Sequence, residues 1–189
     1  MVPGVPNLRP WFIGLALAFA ACADSPPDAK EHQTATNTEK ACELLTKVDA
    51  EAALGSPIDD ESDESSLTPL GDKALGGRCY YEGKGGSVSL SVQKHIDAAY
   101  AGERFTRARN RSDGDPSFRA LTGLGDDAFA EHERLHIKRG DLILIVELRY
   151  TGERKLKHYG DKPGLEALAA DERTIAEEAL RRLPPITKS

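Results

Sequence analysis

Apolar residues recur along the chain with two different periods, and the places where the period changes divide the second half into elements. From 134 to 150 the period is two: Leu135 and Ile137 alternate with Arg134, His136 and Lys138, and Leu142, Leu144, Val146 and Leu148 alternate with Ile143, Ile145, Glu147 and Arg149. This alternation marks half-buried strands. A two-residue turn at Arg139-Gly140 sets Ile137 opposite Leu142 and Leu135 opposite Leu144, so the two apolar faces coincide. A second turn at 131–133 completes a predicted three-strand meander of 126–130, 134–139 and 141–150. An earlier hairpin is predicted over "RCYYEGKGGSVSLSVQKH", where Val88, Leu90 and Val92 alternate with Ser87, Ser89 and Ser91 and one face is buried.

Helical spacing appears in three places. Thr46 followed by Asp49 has the spacing of a capping box, and "KVDAEAALG" then predicts a short helix stopped by Gly55 and Pro57. Asp97 opens a helix whose stripe is Ala98, Ala101, Phe105 and Ala108. The last helix carries Leu168, Ile175, Ala176, Ala179, Leu180 and Leu183 on one stripe and ends at Pro184-Pro185. Between the first helix and the hairpin, "SPIDDESDESSLTPLGDKALGG" shows no apolar period and is expected to be a solvated acidic loop. Helix, hairpin, helix, meander, helix is the order of an α+β domain with a single antiparallel sheet and helices packed on it.

The beginning of the chain follows other rules. Arg9 precedes an apolar run, Trp11 to Ala21, that has the length of a signal-peptide core and is too short for a membrane span. It ends in Phe19-Ala20-Ala21-Cys22, which resembles the lipobox of bacterial lipoproteins, with Phe19 where the family usually has an aliphatic residue. The resemblance implies cleavage after residue 21, acylation of Cys22 and anchoring of the mature chain in a cell membrane or an outer membrane, with the domain facing the periplasm or the exterior. Ordinary secretion is the alternative, since Ala18-Phe19-Ala20 also fits a small-x-small cleavage site. Residues 22–41, polar and without apolar periodicity, read as a flexible tether, and residues 42–189 as one domain. The chain has three cysteines, and lipidation of Cys22 leaves Cys42 and Cys79 as a pair.

Composition narrows the function classes. Hydrophobic residues make up 39% of the chain, charged residues 30% and aromatic residues 6%, with a net charge of −6. An acidic, aromatic-poor surface offers neither the basic field nor the stacking platform of a nucleic-acid binder. Residues His132-Glu133-Arg134-Leu135-His136 spell the H-E-x-x-H of zinc proteases, which need the motif on a helix so that both imidazoles grip one ion. The period-two surroundings place His132 in a turn and His136 facing out of a strand. A zinc metallopeptidase is therefore only the alternative, and no metal or cofactor is expected. "GKGGS" departs from a phosphate-binding loop, since Gly85 stands where Ser or Thr is required. The acidic run 59–64 lacks EF-hand spacing. Arg104, Arg107, Arg109 and Arg111 read as basic residues complementing a helix end, and Arg139-Gly140-Asp141 as an ordinary hairpin tip.

Together, "CELLTKVDAEAALG", "RCYYEG" and "GLGDDAF…LHIKRGDLILIVEL" resemble the small cystine-bearing surface lipoproteins of actinobacteria and related bacteria. The likeness spans Cys42 to Leu183 and implies a Cys42–Cys79 disulfide and an anchored topology, and it carries over no catalytic residue. With no Ser/His/Asp or Cys/His set in the sequence, the expectation is a non-enzymatic lipoprotein. It would present a ligand- or protein-interaction domain at the cell envelope to a partner the sequence does not specify. A structural envelope component is a further alternative.

Overall fold

The computed structural model describes residues 40–153, 155 and 162–185. The expected signal peptide, Cys22, His32, nearly all of the tether and His158 lie outside the described residues. Short helices α1 (Ala41–Leu44) and α2 (Lys47–Leu54) precede strands β1 (Ile58–Pro69), β2 (Ala74–Gly83) and β3 (Gly86–His95). Helix α3 (Ala98–Ser112) leads to β4 (Arg119–Leu121), β5 (Asp127–Glu131), β6 (Arg134–Arg139) and β7 (Leu142–Tyr150), and α4 (Lys162–Arg182) follows. The strands form one antiparallel sheet in the order β1-β2-β3-β7-β6-β5-β4. The fold is α+β with a single sheet, built from two meanders. The first ends at the centre of the sheet on β3, α3 carries the chain to the far edge, and the second returns until β7 pairs with β3.

That crossing explains why β7 is apolar on both faces from Leu142 to Val146. On one face Val88, Leu90, Val92, Leu135, Ile137, Leu144, Val146 and Leu148 are buried together with Leu44, Leu54, Leu168, Ile175 and Ala179 of α1, α2 and α4. On the other face α3 lays Ala101 and Phe105 over Phe129 and Ile143, with Ala108, Phe118 and Ile145 at the margin. The unbroken run Leu142 to Val146 is the pattern of a strand covered on both sides rather than one. The expectation that His136 faces outward is corrected for this reason. His136 does lie on the second face, but that face is roofed there by α3, and His136 is only 8% exposed.

Two further expectations are corrected. Most of the anticipated acidic loop is strand: β1 pairs with β2 from Ile58↔Gly83 to Pro69↔Leu75. Its side chains supply no apolar signal, and the hydrogen bonds to β2 define it instead. The β6–β7 turn falls on Gly140-Asp141, giving Arg139↔Leu142, Ile137↔Leu144 and Leu135↔Val146. Gly140, at φ 61°, takes the first central position of that turn, where a positive φ favours glycine. Asp126 accepts its N–H at 2.7 Å. The two-residue slip leaves every side chain on its expected face because the pleat repeats every two residues.

The local caps are as the spacing predicts. Thr46 Oγ1 accepts from the Asp49 N–H at 3.4 Å, Asp49 Oδ2 accepts from the Thr46 N–H at 2.9 Å, and Gly55 ends α2 in the left-handed region at φ 61°. Asp97 caps α3 through the Tyr100 N–H at 2.7 Å. Arg182 at the end of α4 forks onto Asp49 at 2.5 and 3.0 Å and donates to the Leu44 carbonyl at 2.6 Å, fastening the last helix to the first two. Burial raises the Asp49 carboxyl, but the Arg182 fork and the Thr46 donors outweigh it and bring it down to about 2. A disulfide joins Cys42 on α1 to Cys79 on β2, with Cα atoms 5.0 Å apart.

Candidate functional site

The densest polar constellation is built around the β5–β6 turn. Glu131 pairs with Arg134 across a two-residue turn in which His132 has φ 48°, the one positive φ among the described non-glycine residues. The loop after α3 holds this geometry: the His132 N–H donates to Ser117 Oγ at 2.8 Å, and its Nε2 lies 3.0 Å from Asp115 Oδ2. On the other side Glu133 pairs with Arg149 at 2.7 Å, while Glu147 accepts from Arg149 and lies 3.7 Å from Arg134 and 3.9 Å from Arg78. Asp115, Glu131, His132, Glu133, Arg134, Glu147 and Arg149 line a cleft of about 380 Å³. Within it carboxylates and guanidiniums alternate in space, so the cleft carries mixed charge rather than a field of one sign.

Beneath the cleft lies His136. Its ring stacks on Phe129 with centroids 4.5 Å apart and planes 7° from parallel, and its Nε2 is 3.1 Å from Glu131 Oε1. The second Glu131 oxygen accepts from the Ser112 hydroxyl of α3. Burial holds the His136 imidazole below its ordinary value, against the opposing pull of Glu131. At neutral pH the ring is therefore neutral and donates to a carboxylate. Serine and histidine both address Glu131 and not one another, so the trio ties α3 to the sheet and lacks the serine-to-histidine proton path of a hydrolytic triad.

The structure also shows what the motif residues do. His132 is in a turn and bonded to Asp115, and His136 is in a strand and bonded to Glu131, so the H-E-x-x-H residues do not share a helical face. Arg109 donates from Nη1 to both carboxyl oxygens of Asp127, at 3.0 and 2.8 Å, and Arg107 pairs with Glu103 at 2.5 Å. These two guanidiniums are thus engaged within the domain. Arg139 donates to the carbonyls of Leu180 and Pro184 at 2.7 and 3.2 Å, closing the C-terminal end of α4. That arginine is not presented by the hairpin tip.

One group had a legible signal that the apolar count passes over. The stripe of α4 runs from Leu168 through Glu172 to Ile175 and Ala176, and Glu172 is 0% exposed. Among the described residues neither of its carboxyl oxygens has a hydrogen-bond partner, nor do Nε and Nη2 of Arg119 on β4. Burial pushes the Glu172 carboxyl well above its ordinary value, Arg119 pulls it back, and Glu133, Glu147 and Asp171 push further upward. The unfolded chain ionises this carboxyl near 4.5, whereas the folded one retains the proton. Stability contributed by the protonated form is thus present in acid and lost as pH rises through the interval above 4.5. Replacing Glu172 with Gln is expected to stabilise the domain by about 1 kcal/mol at pH 8, with the gain shrinking toward zero in acid. Urea unfolding across pH measures this, and a loss of stability at pH 8 would mean that an ionised carboxylate is held by Arg119.

No protein-family model matches the chain, and a search of curated proteins finds no match.

Proposed function

We propose that the chain is a bacterial lipoprotein, acylated on Cys22 and tethered through residues 22–41. It would present a small, non-catalytic interaction domain at the cell envelope, as a relative of the cystine-bearing surface lipoproteins it resembles. The observation that carries the proposal is the distribution of the three cysteines. The Cys42–Cys79 bond uses two of them, which suits an oxidising compartment, and leaves Cys22, directly behind the apolar run and Ala20-Ala21, for the lipid. The separate engagement of His132 by Asp115 and of His136 by Glu131 and Phe129 favours this reading over a peptidase.

The test is intact mass measurement on protein extracted from the membranes of a bacterial host in mild detergent. Loss of residues 1–21 with a di- or triacyl increment at the new N-terminus is expected, together with release into the soluble fraction on Cys22→Ser. A chain cleaved before Cys22 and carrying a free thiol there would replace anchoring with ordinary secretion. Stoichiometric zinc in the same spectrum would reinstate the peptidase.

A further inference from the structure

β1 is twelve residues long, and no described side chain in it is buried. It lies at the edge of the sheet: β2 pairs with one side, and no described strand pairs with the other. An open edge presents a row of backbone N–H and C=O groups that can take up another strand, and natural edges are usually blunted by charged side chains, proline or bulges. Here the irregularities fall at the two ends, between Ile58 and Asp60 and between Glu64 and Thr68. Between them Asp60 to Glu64 pair without interruption with Glu82 to Arg78, so the regular part of the edge is also its acidic part. At the other edge of the sheet β4 has only three residues.

Charge decides which strand fits. Five of the six residues 59–64 are acidic, and Asp59, Asp60 and Glu64 make no ion pair with a described residue. The field is strong enough to act inward: after burial itself, Glu61 and Asp63 help raise the Tyr81 hydroxyl to about 12. A second copy of the chain pairing edge to edge would set one acidic run against another, and like charges facing each other across strands are destabilising. The same run attracts an extended segment of opposite charge, with main-chain hydrogen bonds giving affinity and side-chain charge giving selectivity.

We propose that the outer edge of β1 is a docking surface that accepts an extended lysine- and arginine-rich segment of a partner protein as an added strand. The proposal rests on the reading of the domain as an interaction module and gives that module its surface and the chemistry of its partner. It does not depend on the lipid.

The experiment uses the full chain purified from membranes and a synthetic peptide as long as β1 that alternates lysine with threonine or valine. Calorimetry gives affinity and amide resonances give location. Binding with shifts centred on residues 58–69 is expected. It should weaken about tenfold when alternate peptide amides are N-methylated at constant charge, which removes the strand hydrogen bonds. It should weaken to a similar degree in a chain carrying Asp60→Asn, Glu61→Gln, Asp63→Asn and Glu64→Gln, with circular dichroism confirming that this variant is folded. Equal binding of the N-methylated peptide would reduce the effect to simple charge attraction and overturn strand addition. Equal binding by the neutralised chain, or shifts centred on the Glu133–Glu147 cleft, would overturn the assignment to β1. Because the mass of the same preparation reports lipid on Cys22, failure at the edge and failure of the anchor are read separately.

Discussion

Reducing the Cys42–Cys79 bond is expected to cost about 3 to 4 kcal/mol, the chain-entropy value for closing a loop of this size. The two cysteines are 37 residues apart, and the closed loop contains α2, β1 and the start of β2. The Cys79 end lies in β2, which pairs with β3 along its length, whereas α1 at the other end and β1 between them are weakly held by other means. α1 has four residues, far too few to persist as a helix without tertiary support, and β1 buries none of its described side chains. The bond therefore constrains the part of the chain with least apolar area to offer. Thermal unfolding with and without a phosphine reductant should show a fall in midpoint of about 10 °C or more, on a domain whose total stability is about 5 to 15 kcal/mol. Coincident melting curves would mean that packing of Leu44, Leu45 and Ala50 holds the segment without the bond. Cys79→Ser would be a poorer probe than reduction, because Cys79 is 0% exposed and a hydroxyl there adds a desolvation cost unrelated to the crosslink. Under the proposed anchoring, a pull through the tether reaches this bond at Cys42, and the bond passes it to the sheet at β2.

The half of the sheet that packs was legible in the sequence, and the half that does not pack was not. The meander 127–150 announces itself because Leu135, Ile137, Leu144, Val146 and Leu148 must share a face, and a pleat of period two gives that requirement one solution. Thr46 with Asp49, and Asp97 before an alanine-rich run, announce helix starts because orphan N–H groups need those side chains. β1 carries no such mark. Its residues fall in line through hydrogen bonds to β2, and Asp, Ser and Glu have no strand preference of their own. β4, at three residues, is shorter than any pattern. His136 was misplaced because α3's stripe of Ala101 and Phe105 shows that the helix packs without showing on what. Only the topology, with the chain crossing from β3 to β4, sends α3 over the second face. The Ser112–Glu131 contact and the Glu172–Arg119 juxtaposition follow from that crossing and from α4, and both join residues too far apart in sequence for spacing to reveal.

Phe129→Ala is expected to cost about 3 to 5 kcal/mol, the range for removing a fully buried aromatic side chain and leaving its cavity. Phe129 is 0% exposed and is the hub of the second face. Phe105 of α3 meets it edge-on at 5.2 Å and 65°, Phe118 lies at 5.7 Å, and His136 stacks on it at 4.5 Å. The other principal apolar members of this cluster are Ala101, Phe105 and Ile143, so truncation removes much of what fastens α3 to the sheet. A second readout follows from the electrostatics. Burial keeps the His136 imidazole below its ordinary value while Glu131 pulls it upward. Opening the cavity to water weakens the first influence, so the His136 titration midpoint should rise, and its charged form should then pair with Glu131. Denaturant unfolding together with an NMR pH titration of His136 measures both effects, and Phe129→Leu, which keeps most of the volume, should shift each of them less. A cost below about 1 kcal/mol with an unchanged His136 midpoint would mean that α3 does not roof the second face. The two faces of the sheet would then no longer be separate cores, and the cleft above His136 would lose the wall formed by the loop after α3.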